Sequence, residues 1–168
     1  MKSNHLYNFN VAKNYAYNDK IYVVEGFMDV AGGNKMNIRN IVATMGTSFT
    51  KEQIAMLRRL DCEIVLMRDN DNAGRQAMVK EIPELMNKRF RVSVIDLNKV
   101  KENLQLTEEK DSKDLWDFAN AGAVEHDLEK ARVSGFQFLM ENKYFENKEF
   151  NSETIKEAYE EAKKRGAD

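Results

Sequence analysis

Four short runs of β-branched and aromatic residues recur along the chain: Ile21-Tyr22-Val23-Val24, Ile41-Val42-Ala43, Ile64-Val65-Leu66-Met67 and Val92-Ser93-Val94-Ile95. Each has the length and side-chain type of a buried strand, and helix-length segments separate them. A strand followed by a helix returns to the sheet parallel to its predecessor, through a right-handed crossover. The sequence therefore predicts an α/β domain with a largely parallel, four-stranded sheet flanked by helices.

The intervening segments carry their own punctuation. Lys51 to about Leu60 predicts a helix capped by Thr50, with Gln53 completing a capping box and Phe49 and Ile54 placed as a hydrophobic staple. Ala73 to about Asn87 sets Ala77, Ile82, Leu85 and Met86 near one face, and Pro83 is expected to kink this helix or split off its last turn. Asn98 to Lys110 reads as a surface loop anchored by Leu104 and Leu106. Further helices are expected over Asp114–Asn120, capped by Ser112 and stopped by Gly122, over Val124–Asn142, and over Ser152–Arg165. Residues 1–19 form an N-terminal arm with a short helix around Val11, residues 20–122 the sheet domain, and residues 123–168 a small C-terminal helical extension.

Composition narrows the function classes. With 168 residues, 42% of them hydrophobic, the chain can enclose one sizeable core. The 26 basic and 28 acidic residues nearly cancel, so any nucleic-acid contact is local rather than driven by an overall basic excess. Cys62 has no partner for a disulfide, and His5 and His126 lack ligand spacing, which argues against zinc. No apolar run approaches the roughly 20 residues of a membrane helix, and the N-terminus lacks a secretory stretch. A cytoplasmic protein is expected.

Chemistry is concentrated in three acidic clusters at or beyond predicted strand ends: Glu25 with Asp29, Asp69 with Asp71, and Asp111 with Asp114. Ligands of open α/β sheets bind outside the carboxyl ends of the strands, where these clusters are expected to meet. Oxygen-rich donor sets suit magnesium or manganese. A strand continuing to Asp71 would turn Asp69 and Asp71 to the same side, and Ala73-Gly74 would let the next helix start close to the sheet. The plainer alternative is a turn built from Asp and Asn. Gly46-Thr47-Ser48, before the capped helix, offers amides for a phosphate or serves as a tight connection.

Taken in order, Val24-Glu25-Gly26-Phe27-Met28-Asp29-Val30, Gly46-Thr47-Ser48 and Asp69-Asn70-Asp71-Asn72-Ala73-Gly74-Arg75 resemble the TOPRIM domain of bacterial DnaG-type primases. The family's segments read E-G-[YF]-x-D-[VA], L-G-T-[SA] and D-x-D-x-A-G-x-x-A. Leu6-Tyr7-Asn8-Phe9 and Ala12-Lys13 are similar to the segment that precedes that domain, and the helices after Gly122 match those that follow it in placement only. The resemblance implies a Rossmann-like TOPRIM fold and magnesium-dependent (or manganese-dependent) nucleotidyl transfer. Short RNA primers would be made on single-stranded template DNA from nucleoside triphosphates.

Glu25, Asp69 and Asp71 would be the catalytic residues, Gly46, Thr47 and Ser48 would bind the nucleotide, and Glu25, Asp69, Asp71, Asp111 and Asp114 would hold metal. Asp111 matches the first aspartate of the family's D-P-D segment, but Lys113 stands where the second is expected. Either Asp114 replaces that second aspartate or the ligand is missing. Asn72 and Arg68 stand where the family has a basic and an aromatic residue. A replicative helicase would dock on a domain absent from this sequence, and the isolated chain is expected to make little or no primer. Other readings are a TOPRIM nuclease, a topoisomerase or recombination enzyme, or a non-catalytic docking domain; Tyr15, Tyr17 and Tyr22 have no context of a tyrosine nucleophile.

The remaining conspicuous residues read as structural. Met45, Met56, Met67 and Met78 are expected in the core, Cys62 is expected to be inert, and Trp116 is expected to anchor its helix. Arg58-Arg59 and Lys88-Arg89-Phe90-Arg91 read first as solvated surface.

Overall fold

The computed structural model describes residues 4–46, 48–106 and 113–144, together with Glu153, Lys156, Glu157 and Glu160. Thr47, Asp111, Ser112 and nearly all of the helix expected over Ser152–Arg165 lie outside the described residues. Five strands, β1 (Lys20–Val24), β2 (Ile41–Ala43), β3 (Glu63–Leu66), β4 (Val92–Ile95) and β5 (Arg132–Ser134), form one sheet in the order β2-β1-β3-β4-β5. The first four run parallel, with Val23 opposite both Val42 and Leu66. β5 pairs antiparallel with β4, Val94 against Val133.

Period-2 alternation divides the buried side chains between two faces. Ile21, Val23, Val42, Ile64, Leu66 and Val94 point to one. There they meet α1 (Phe9–Ala16), α3 (Lys51–Arg58), α4 (Asn72–Asn87) and α8 (Gly135–Leu139) through Ala12, Leu57, Ile82 and Phe138. Tyr22, Val24, Ile41, Val65, Met67 and Ile95 point to the other face. They pack with α2 (Phe27–Lys35), α5 (Leu97–Asn103), α6 (Leu115–Asn120) and α7 (Glu125–Lys130) through Val30, Val100, Phe118 and Leu128. Strands buried on both sides are apolar at nearly every position, which explains the near-continuous runs; Ser93 of β4 is the buried polar exception.

The expected capping box of α3 is present: Gln53 N donates to Thr50 Oγ1 at 3.2 Å, and Thr50 N donates to Gln53 Oε1 at 3.0 Å. Phe49 and Ile54 lie in the same apolar cluster. Gly122 ends α6 as expected, at φ 92, a backbone state that favours glycine. The N-terminal arm holds α1 and adds a bridge from Tyr7 to Ala43.

Four expectations are corrected. α4 runs as one helix through Pro83 rather than splitting off its last turn, since packing of Ile82 and Leu85 outweighs the one backbone bond that proline forgoes. The loop expected from Asn98 is helical as far as Asn103, because Asp96 Oδ1 accepts from Asn98 N at 3.0 Å and caps α5, while Leu97 and Val100 are buried. The single helix expected over Val124–Asn142 is three elements and a π-helical turn, Met140–Tyr144. Its middle is β5, drawn out of the helix by the open edge of β4. Met45 is 46% exposed rather than in the core.

Helices α2 and α6 approach unusually closely. A Cβ on Gly32 would lie 2.8 Å from both Cα and N of Trp116, so only glycine fits there without backbone movement. Gly32→Ala is expected to lower stability by about 2 kcal/mol, within the range for forced overpacking. Urea unfolding measures this, and an unchanged midpoint would show that the two helices are not in such contact.

Candidate functional site

The sheet order creates a crevice. From β1 the chain crosses to β2 on one side, and from β3 it crosses to β4 on the other, so the direction of winding reverses between the adjacent strands β1 and β3. That reversal is where open α/β sheets bind ligands. Glu25 directly follows β1, and Asp69 follows β3 after Met67 and Arg68. The pairing of these strands therefore delivers both carboxylates to the same end of the sheet. Neither has a side-chain hydrogen bond or ion pair among the described residues.

The other acidic side chains gather around them, each fixed by backbone amides. Asp71 caps α4, accepting from Gly74 N at 2.7 Å. Asp114 caps α6 by accepting from Asp117 N at 2.9 Å. Asp29 is buried; its Oδ2 accepts from Gly26 N at 3.0 Å and its Oδ1 from Leu115 N at 3.0 Å, so it joins the start of α2 to the start of α6. Asn70 N donates to Lys113 O at 2.6 Å, which draws the third acidic segment against the second. β3 ends at Leu66 and does not continue to Asp71, so the alternative of a turn after the strand holds. Instead Asp71 N donates back to Asp69 O at 2.8 Å, a three-residue turn that replaces strand alternation. Gly74 makes the turn possible, because a Cβ there would fall 2.2 Å from Asp69 O.

Crowding of like charge shows in the acidities. Burial pushes Asp69 up to about 7, and the charges of Asp29, Glu25, Asp114 and Asp71 push it in the same direction. Burial also raises Asp29, with Asp114 and Glu25 adding to it, against the two amides that favour its ionised form. Asp114 thus shares the field of the crevice, whereas Asp111 lies outside the described residues. Among the described residues, no three His, Cys, Asp or Glu side chains are arranged to enclose a metal ion. An all-oxygen donor set still fits magnesium, which binds through one or two carboxylates and fills its remaining positions with water and phosphate oxygens.

Of the nucleotide loop expected at Gly46-Thr47-Ser48, Thr47 lies outside the described residues; Met45, just before it, is tied to the crevice by its N donating to Glu25 O at 2.8 Å. Gly46 is open to solvent, with nothing within 4 Å of a Cβ built there. The start of α3 is partly spoken for, because the Thr50 hydroxyl takes the Gln53 amide. Sequence reading missed the buried pair formed by Arg68 and Glu81 immediately behind Asp69. The only hint was an arginine following an apolar strand.

Other residues fall into place away from this end. The two basic runs meet at the opposite end of the sheet, where Arg58, Arg89, Arg91 and Phe90 line a cavity of about 100 Å³ with Asp61 and Cys62. Arg58 Nη2 donates to Lys88 O at 2.9 Å, so cations there offset exposed carbonyls at helix C-termini. Burial raises the Cys62 thiol to about 11, which keeps it protonated and inert. The buried Tyr22 hydroxyl is hydrogen-bonded to Glu125 and Glu129, an arrangement unsuited to a nucleophile. No described helix is long and apolar enough to cross a membrane.

Comparison with known proteins agrees with this fold. The Toprim-like family matches residues 22–112. A DNA primase of Staphylococcus aureus (strain COL) is 41% identical over 93 residues, which is 55% of this chain and 16% of that protein. A DNA primase of Staphylococcus epidermidis is 38% identical over the same length and shares. A DNA primase domain from Pseudomonas aeruginosa superposes with a TM-score of 0.70 at 26% identity, covering 94% of this chain and 48% of that one. The RNA polymerase domain of Mycobacterium tuberculosis primase DnaG, in complex with a double-stranded DNA oligomer with a 6-nucleotide overhang, superposes at 0.64 and 26% identity, covering 96% and 50%. The chain thus spans about a sixth of the length of the curated relatives it matches.

A carboxyl group whose folded-state pKa is raised weakens the fold as it ionises. For Asp69 that loss runs from about pH 4, its unfolded value, to about pH 7, its folded one. Without added metal, Asp69→Asn is expected to raise Tm at pH 8 and to change it little at pH 4. Thermal melts at the two pH values test this; an equal effect at both would place Asp69 outside the crowded field.

Proposed function

The chain belongs to the Toprim-like family, and from that premise we propose that it is the divalent-cation core of a DnaG-type DNA primase. The observation that carries this reading is the meeting of Glu25 and Asp69 at the carboxyl ends of β1 and β3, where the winding of the sheet reverses. Primases of two staphylococci are similar across this segment, and primase catalytic structures share its fold. The nuclease, topoisomerase and docking readings have no comparable support.

Asp69 and Asp71 would hold a magnesium or manganese ion, with Glu25 and Asp114 beside them and Asp111 as a further candidate. When bound, the ion would neutralise charge developing as a 3′-hydroxyl attacks the α-phosphate of a nucleoside triphosphate and pyrophosphate leaves. The rest is the work of the protein. Glu25, half-buried and unpartnered among the described residues, would accept the hydroxyl proton or ligate the ion. Gly46, Thr47 and Ser48 would orient the triphosphate, a reading supported by the bond that ties the preceding Met45 N to Glu25 O. Template DNA, RNA primer and nucleoside triphosphates are the partners this reading assigns, with a replicative helicase engaged through a part of the parent protein outside this sequence.

Manganese titration followed by electron paramagnetic resonance tests the proposal. Wild-type chain is expected to bind, and Asp69→Asn with Asp71→Asn together to weaken binding by more than roughly tenfold, a range seen even for outer partners of a metal. Equal binding by both proteins would remove the metal site. Unaided cleavage of single-stranded DNA by the wild-type chain would favour a nuclease instead.

A further inference from the structure

One residue before Asp69 the chain buries a charged pair that the chemistry of the crevice does not use. Arg68 is 1% exposed and Glu81 is 2% exposed. Arg68 Nε donates to Glu81 Oε2 at 3.0 Å and its Nη2 donates to Oε1, the two-pronged geometry in which a guanidinium holds a carboxylate most firmly. Stripping both ions of water costs about as much as their attraction returns, and apolar side chains of similar volume commonly serve a core as well. Stability by itself gives little reason for the pair.

The third donor of Arg68 supplies one. Nη1 donates to Thr44 Oγ1 at 2.9 Å, and Thr44 Oγ1 donates in turn to Gly46 O at 2.6 Å. A charged donor polarises the hydroxyl and strengthens the bond that the hydroxyl gives. The same short segment is held from its other side. Gln53 Nε2 donates to Thr44 O at 2.9 Å, Thr44 N donates to Val24 O at 3.1 Å, and Met45 N donates to Glu25 O at 2.8 Å. Between these anchors Met45 sits at φ 57, a left-handed state that a methionine adopts only where its surroundings impose it. The guanidinium also lies 5.8 Å from the centre of the Phe49 ring, just past the loop. A planar fork with donors on more than one edge can grip Glu81 and still reach Thr44; an ammonium is a point charge and cannot do both in this geometry.

We propose that Arg68, locked by Glu81, is a positioning residue that fixes Thr44, Met45 and Gly46 beside Glu25 and thereby sets affinity for the metal-bound triphosphate rather than for the metal. The nucleotide part of this inference rests on the metal-nucleotide reading of the crevice. The restraint on the loop does not.

Three variants of the full chain test it. Arg68→Met with Glu81→Met removes the pair as a unit and leaves no orphaned charge; Thr44→Val deletes only the relaying hydroxyl; Arg68→Lys keeps the charge and loses the fork. In all three, amide hydrogen exchange at residue 44 and at Met45, whose N–H groups are bonded to Val24 O and Glu25 O, is expected to speed up by at least roughly tenfold while amides of β1 and β3 keep their rates. Manganese alone is expected to bind within about twofold of wild type, and manganese–ATP about tenfold more weakly, as when supporting contacts of a site are lost. Wild-type exchange at these amides in a folded double variant, or in Thr44→Val, would overturn the positioning role. A wild-type chain that binds manganese but not manganese–ATP would instead overturn the nucleotide reading, and the exchange rates would still decide whether Arg68 restrains the loop.

Discussion

The parallel pairing of β1 with β3 is the constraint from which the site follows. Val23 lies opposite Leu66, and Met67 N donates to Val23 O at 2.9 Å beyond the last strand residue. Because the strands run in the same direction, the residues that leave them, Glu25 and Asp69, emerge at one end. Had the pair been antiparallel, the two carboxylates would sit at opposite ends of the sheet. The crossover to β2 on one side and to β4 on the other then keeps both helical connections clear of the gap.

Gathering acids in a partly buried gap works against folding, and the structure offsets this with backbone amides. Asp29, Asp71 and Asp114 each terminate a helix start, where amide donors and the positive end of the helix favour negative charge. Asp69 has no such support, and its acidity shows it, with burial and four neighbouring carboxylates acting together. Such a perturbed carboxyl group, crowded by like charges in a crevice, is what a functional site is expected to carry.

Legibility in the sequence followed the range of the interaction. All four parallel strands could be read because burial on both faces makes them apolar at nearly every interior position, Ser93 being the exception. The Thr50–Gln53 capping box and the Gly122 stop were equally legible, since each is settled within a few residues. Gly74 could be anticipated as a close approach, although its target, the carbonyl of Asp69, appears only in three dimensions. β5 was not legible, because Arg132–Ser134 is a strand only where β4 offers an unpaired edge. The Arg68–Glu81 pair was not legible either: the two lie 13 residues apart on a strand end and a helix, and nothing local distinguishes them from solvated charges.

The sequence by itself determined the alternation of strand and helix, the residue types at the strand ends, and hence the donor chemistry available to a hard cation. Those are local properties, set by side-chain period, capping and turn preference. Only the tertiary structure decided that β1 and β3 are neighbours, that Asp114 reaches the same crevice as Asp29 and Asp69, and that an arginine beside an aspartate faces inward to Thr44 and Glu81. These depend on strand order and on the cost of leaving a buried charge unpaired, which no stretch of neighbouring residues encodes alone.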